Sequence, residues 1–185
     1  SGQSMMAALA AQAVTGALTC VTVLVAGRRF FDEKTARAAA LVTAFYGPLI
    51  FFEARLLATG LAAFWMVALL YMLDRCVTGQ RVWICVSTGV VSALAVLTRP
   101  IFLPVVLAGV IWVAFSSTKS TESPRKKSMP ALAMASGLAA LLLAVSVLSY
   151  EATGHFSPVP RSGSLNLYIG NNRQADRTMM IRPGS

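Results

Sequence analysis

"LLATGLAAFWMVALLYML", residues 56–73, decides the fold class: eighteen consecutive residues without a charge, held between Arg55 and Asp74. At about 1.5 Å per residue, a helix of that length reaches across most of a hydrocarbon core roughly 30 Å thick. Five similar runs accompany it, namely Ser4 to Ala26, Ala38 to Phe52, Val82 to Thr98, Ile101 to Phe115 and Ala131 to Tyr150. The shortest of these are marginal in length, so the six spans include two weaker ones. Composition agrees, with 56% hydrophobic and only 12% charged residues and a mean hydropathy of +0.67, against roughly a quarter charged in soluble domains. The expectation is an all-α, polytopic transmembrane helix bundle over residues 1–150, followed by a polar segment over 151–185.

The net charge of +9 does not read as a nucleic-acid footprint, because the basic residues punctuate the spans and form neither one patch nor one helix face. Alternating the six spans places Arg28, Arg29, Lys34, Arg37, Arg75, Arg81, Lys119, Arg125, Lys126 and Lys127 on one side, against Arg55 and Arg99 on the other. The positive-inside rule puts the crowded side in the cytoplasm. The N-terminus, the turn bearing Glu53 and Arg55, Arg99 and the tail from Glu151 then face outward. The first run has no basic residue before it and carries its arginines after it, unlike a signal peptide. With no initiator Met at the start and a polar stop at "RPGS" (182–185), the chain reads as an internal piece of a longer protein.

Cys20, Cys76 and Cys85 lack metal-ligand spacing and read as small packing residues rather than redox or zinc groups. His155 has no HExxH pattern or acidic neighbour and reads as structural or solvent-exposed. No cofactor is identifiable; a divalent metal is compatible with the chain, which offers no ligand set for it. Small residues recur in "STGVVSALA" (87–95) and "ALAMASGLAALLLA" (131–144), where they let helix backbones approach closely. The loop "STKSTESPRKKS" (117–128) reads as a solvated topology signal.

One set of polar groups gathers on the sparsely charged side: Glu53 and Arg55, Arg99 before Pro100, and the tail loop "LNLYIGNNRQADRT" (165–178). An Arg inside hydrocarbon costs roughly 2.5–3.5 kcal/mol on insertion scales, so these arginines belong at a boundary or on a watery, anion-bearing cavity. Pro100 disfavours helix at Arg99 and separates two spans. Arg99 as a snorkelling hairpin residue and Glu53/Arg55 as an interfacial ion pair are the plain alternatives.

Four segments taken in order, "ALAAQAVTGALTCVTVLVAGRRFF" (8–31), "AAALVTAFYGPLIFFEARLL" (38–57), "GVVSALAVLTRPIFLPVVLAGVIW" (89–112) and "NLYIGNNRQADRTMMIRPG" (166–184), resemble bacterial members of glycosyltransferase family 39. These are relatives of the protein O-mannosyltransferases and lipid A aminoarabinose transferases, with the multi-span GT-C fold. The resemblance runs from about Ala7 to Gly184. It implies a bacterial plasma-membrane enzyme that moves a hexose or pentose from a polyprenyl-phosphate-linked donor to an acceptor on the outer face of the membrane. Its partners would be that donor and the lipid bilayer, with no nucleic acid. The family's catalytic carboxylate, a general base, lies in a first outer loop with no counterpart here, so the expected position is upstream of residue 1 and the fragment alone is expected to be inactive. The pattern departs where Ala54 and Arg55 replace an expected Gly-Glu pair, and where Arg173 and Arg177 replace a Pro and a Gly.

On this reading the donor-binding candidates are Glu53, Arg55, Arg99, Tyr168, Asn171 and Asn172. Arg55 and Arg99 offer planar forks for phosphate oxygens, and Glu53 accepts sugar hydroxyls or holds an arginine in place. Asn171 and Asn172 donate amide N–H groups beside a Gly170 turn, and the Tyr168 ring stacks on a sugar or anchors at the interface. Two other classes remain: a transporter, expected to show interrupted spans with ionisable residues at mid-membrane, and a non-catalytic membrane scaffold.

Overall fold

The computed structural model describes residues 2–54, 58–79, 81–117, 128–154 and 156, and among them every regular element is helical. Helix α1 (Gly2–Phe30) is followed by α2 (Glu33–Ala44), α3 (Gly47–Ala54), α4 (Ala58–Gly79) and α5 (Val82–Thr98). A 3₁₀ turn (Pro100–Phe102) leads into α6 (Leu103–Ser117), and α7 (Met129–Thr153) closes the series. Segments Met5–Phe30, Ala58–Gly79 and Met129–Ala152 are long and apolar enough to cross a membrane by themselves, whereas α5 and α6 are shorter apolar helices.

Local chemistry sets the boundaries. Asp32 caps α2, its carboxylate accepting from the Lys34 amide at 3.0 Å and the Thr35 amide at 3.3 Å, as expected for an Asp ahead of a helix's unpaired N–H groups. Arg99 is extended (φ −147°, ψ 118°), the conformation that a following proline imposes. At the far end of α7, Gly154 adopts φ 69° and donates its N–H to the Tyr150 carbonyl at 2.8 Å, a left-handed cap that glycine enters without a Cβ penalty.

The second apolar run differs from a single span. It is divided between α2 and α3 at Phe45 and Tyr46, because Pro48 brings no N–H and its ring would strike the carbonyl of residue 44 in a continuous helix. The chain turns instead, with Tyr46 N–H donating to the Thr43 carbonyl and the Leu49 and Ile50 amides both donating to the Tyr46 carbonyl. The run is thus interrupted, yet residues 38–52 contain no ionisable side chain apart from the Tyr46 phenol.

Packing is layered: α2 and α3 lie on α1, α1 on α4, α4 on α5 and α5 on α7, with α6 touching α4 and α7. The core joins Leu69, Leu73, Ile84, Val96, Val106 and Met134, all buried. Hydroxyls inside these apolar helices are satisfied by the preceding turn, as in Thr19 to Thr15, Ser92 to Thr88 and Ser146 to Leu142. Thr88 reaches further, donating to the Ile84 carbonyl and to the Met72 carbonyl of α4 at 3.2 Å, and so ties α4 to α5.

Cysteine pairing corrects the sequence expectation of separate packing residues. Cys76 and Cys85 form a disulfide with Cα atoms 4.9 Å apart, within the usual bridging range. The short α4–α5 turn folds the two helices back on each other and brings together residues nine apart, a proximity that metal-type spacing rules do not detect. Cys20 is free and partly buried.

Candidate functional site

Helix α4 separates two polar groups. Near its start, Arg99 Nη2 donates to Thr59 Oγ1 at 2.8 Å. Near its end, Arg29 Nε meets Asp74 Oδ2 at 2.6 Å and Arg29 Nη2 donates to Thr78 Oγ1 at 3.3 Å. Thr59 and Asp74 are fifteen positions apart on one helix, roughly 22 Å along the axis, so the two groups occupy opposite ends of the bundle.

At the Arg99 end, the break before Pro100 exposes the arginine and points its guanidinium across to the first turn of α4. A guanidinium has five N–H donors; one goes to Thr59, and the fork retains donors for an anionic oxygen. The contact joins the α5–α6 break to the helix that begins three residues beyond Arg55. Thr59 was not a candidate from sequence, since a threonine in "LLATGLAAF" (56–64) resembles any small residue of a span. Its contact with Arg99, forty positions away, has no local signature.

Of the other sequence candidates, Glu53 lies next to the last residue of α3, and its side chain is outside the described residues. Arg55, Tyr168, Asn171 and Asn172 lie outside the described residues, as do His155 and loop positions 118–127. Among the described residues no cluster of three or more His, Cys, Asp or Glu side chains is placed to hold a metal ion.

The opposite end is denser in charge. Glu33 accepts from Arg28 and from Arg37, each at 2.7 Å, and the hydrogen bonds from these two guanidiniums hold its carboxyl below the ordinary glutamate range. Asp32 is likewise lowered, first by the Thr35 hydroxyl and then by the Thr35 amide. The six basic residues assigned to one side by span alternation and present in the described region do lie at this end, flanking the α1–α2 and α4–α5 turns.

Among the described residues, two cavities lie against α1. One, of about 230 Å³, lies beside the α2–α3 break and is lined by Gly16, Cys20, Thr43 and Ile50 among others. The second, also about 230 Å³, is a groove at the basic end, between α1, α2 and α4.

A family model described as dolichyl-phosphate-mannose-protein mannosyltransferase matches residues 1–150. No curated protein and no solved structure matches the chain.

Proposed function

The chain belongs to the dolichyl-phosphate-mannose-protein mannosyltransferase family, a family of membrane glycosyltransferases, and from that premise we propose that it is part of an enzyme taking a sugar from a polyprenyl-phosphate-linked donor. Transfer takes place at the Arg99 end of the bundle, on the outer face of a bacterial plasma membrane. The basic residues at the other end of α4 support this orientation through the positive-inside rule.

The observation that carries the reading is Arg99 itself: exposed, set at a proline break between two apolar helices, and oriented by Thr59. Its guanidinium pairs with the donor's phosphate oxygens in the bidentate manner that a lysine cannot reproduce. Glu53 and Arg55 precede the start of α4 and contribute a hydroxyl acceptor and a second cation. Tyr168, Asn171 and Asn172 of the tail close over the sugar by stacking and amide donation.

In the whole protein, Arg99→Ala should weaken donor affinity by about 1.5–3 kcal/mol, the range for a hydrogen bond to a charged group, and Arg99→Lys should recover only part of it. Donor titration of the purified variants, alongside their helical circular dichroism, checks this. Folded variants that both bind donor like the wild type would reduce Arg99 to a snorkelling residue and remove the phosphate site.

A further inference from the structure

The groove at the basic end lies outside the donor site: Val67 and Leu70 of its wall stand roughly 12–17 Å along α4 from Thr59, the partner of Arg99. Its walls come from three helices: Val23 and Ala26 of α1, Ala36 and Ala39 of α2, Val67 and Leu70 of α4. Its floor is closed where α1 and α2 come together, since a Cβ on Gly27 would stand 2.9 Å from both Cα and Cβ of Ala36. Its space is about 230 Å³ and its lining side chains are almost all apolar, walls that a flexible hydrocarbon chain can follow.

Charge surrounds its mouth. Phe30 and Phe31, which line the groove, are exposed, and they adjoin Arg28 and Arg29 on one side and the first turn of α2 on the other. Arg28 and Arg37 share the one carboxylate of Glu33, which leaves this triad with a surplus positive charge. Arg29 is matched by Asp74. Among the described residues at this end, Arg28, Arg29, Lys34, Arg37, Arg75 and Arg81 stand against the carboxylates of Asp32, Glu33 and Asp74, a net excess of cations beside an apolar slot.

We propose that this groove is a binding site for an anionic glycerophospholipid, with one acyl chain between α1, α2 and α4 and its phosphate on Arg28, Lys34 and Arg37. Close van der Waals contact with the groove walls holds the chain, the surplus cations select the headgroup, and exposed Phe31 serves as an interfacial aromatic anchor. The lipid then fills the gap between the α1–α2 hairpin and α4.

The test uses purified, delipidated protein and native mass spectrometry after exchange with nanodiscs of phosphatidylcholine alone or with phosphatidylglycerol of identical chains. Phosphatidylglycerol should be retained at least about fivefold over phosphatidylcholine, the factor expected for one basic residue near a lipid headgroup. Lys34→Gln with Arg37→Gln should erase that preference while phosphatidylcholine retention stays unchanged. A chain-diazirine phosphatidylglycerol, applied to the unaltered protein, should crosslink preferentially at Val23, Val67 and Leu70 over exposed Leu143 and Leu148 of α7. Equal retention of the two lipids, a preference that survives the double substitution, crosslinks spread evenly over both surfaces, or a co-purifying peptide in the groove would each overturn the proposal.

Discussion

Helices α5 and α7 meet through a glycine on each of them, whereas α1 and α2 meet through Gly27 of α1 set against Ala36 of α2. In the first pair, a Cβ added at Gly89 would overlap the Met134 carbonyl oxygen and stand 2.7 Å from the Leu138 amide nitrogen, and one added at Gly137 would overlap the Val86 carbonyl oxygen. Glycine on each helix therefore admits the other's main chain, and Ser92 and Ala93 lie buried along the same face of α5. In the second pair Gly27 approaches Ala36, while further along α1 a cavity opens beside the α2–α3 break. Hydrocarbon chains are as apolar as leucine, so helices in lipid are held by close van der Waals contact and polar ties rather than by escape from water. The α5–α7 pair uses the first means. The α1–α2 hairpin relies on the second, through the Asp32 cap and the Arg28–Glu33–Arg37 ion pairs.

Substitution of the glycines should break the comparison most sharply. Gly89→Ala places a methyl group against backbone that has no rotamer to move, and should cost about 3 kcal/mol or more, the upper range for overpacking. Gly27→Ala meets Ala36 Cα and Cβ at 2.9 Å, a shallower overlap than at Gly89, and should cost about 1–2 kcal/mol. Gly47, with nothing within 4 Å of an added Cβ, supplies the neutral control at about 0.5 kcal/mol or less. Thermal unfolding of the three variants in one detergent ranks them, and equal losses at Gly89 and Gly27 would contradict a special α5–α7 contact.

A smaller effect should follow removal of the α2 cap. Asp32→Ala leaves the Lys34 and Thr35 amides without their carboxylate and should cost about 1 kcal/mol. Hydrogen exchange should localise the loss to the first turn of α2, with α5 and α7 amides unchanged. Protection lost uniformly along the chain would mean that the hairpin and the α5–α7 pair unfold as one unit.

The smallest change should come with acid. Glu33 titrates below its ordinary value of 4.5 because Arg28 and Arg37 donate to it. A carboxyl depressed on folding adds stability above its unfolded value and loses it as the pH falls through the folded one. The hairpin should accordingly loosen only below about pH 4.5, seen as falling protection factors of the α2 amides between about pH 4.5 and about pH 3. Glu33→Gln should reduce that dependence and leave the part carried by the Asp32 cap, whose carboxyl is also held below its ordinary range.

Much of the architecture was legible beforehand. The charge-free run ahead of Asp74 marked α4, the small-residue stretches 87–95 and 131–144 marked the two helices that meet at Gly89 and Gly137, and Pro100 marked the extended Arg99. The α2–α3 break was carried by Pro48 and read instead as part of one span, because hydropathy does not register a missing N–H. At the candidate site, Arg99 was legible as a charge where charge is costly, while its partner Thr59 was not, since a hydroxyl in a span is ordinarily satisfied by its own helix.

Sequence by itself determined which segments are helical and apolar, where prolines and glycines interrupt or end them, and which turns carry the positive charge, because these follow from solvation and backbone chemistry within a few neighbouring residues. Tertiary structure alone decided that Arg99 meets Thr59, that Arg29 meets Asp74, that Cys76 bonds to Cys85 and that a closed-floored groove lies between α1, α2 and α4. Those pairings depend on how helices cross and turn back on one another, which is set by the close approach of small residues on different helices and has no counterpart in any single stretch of chain.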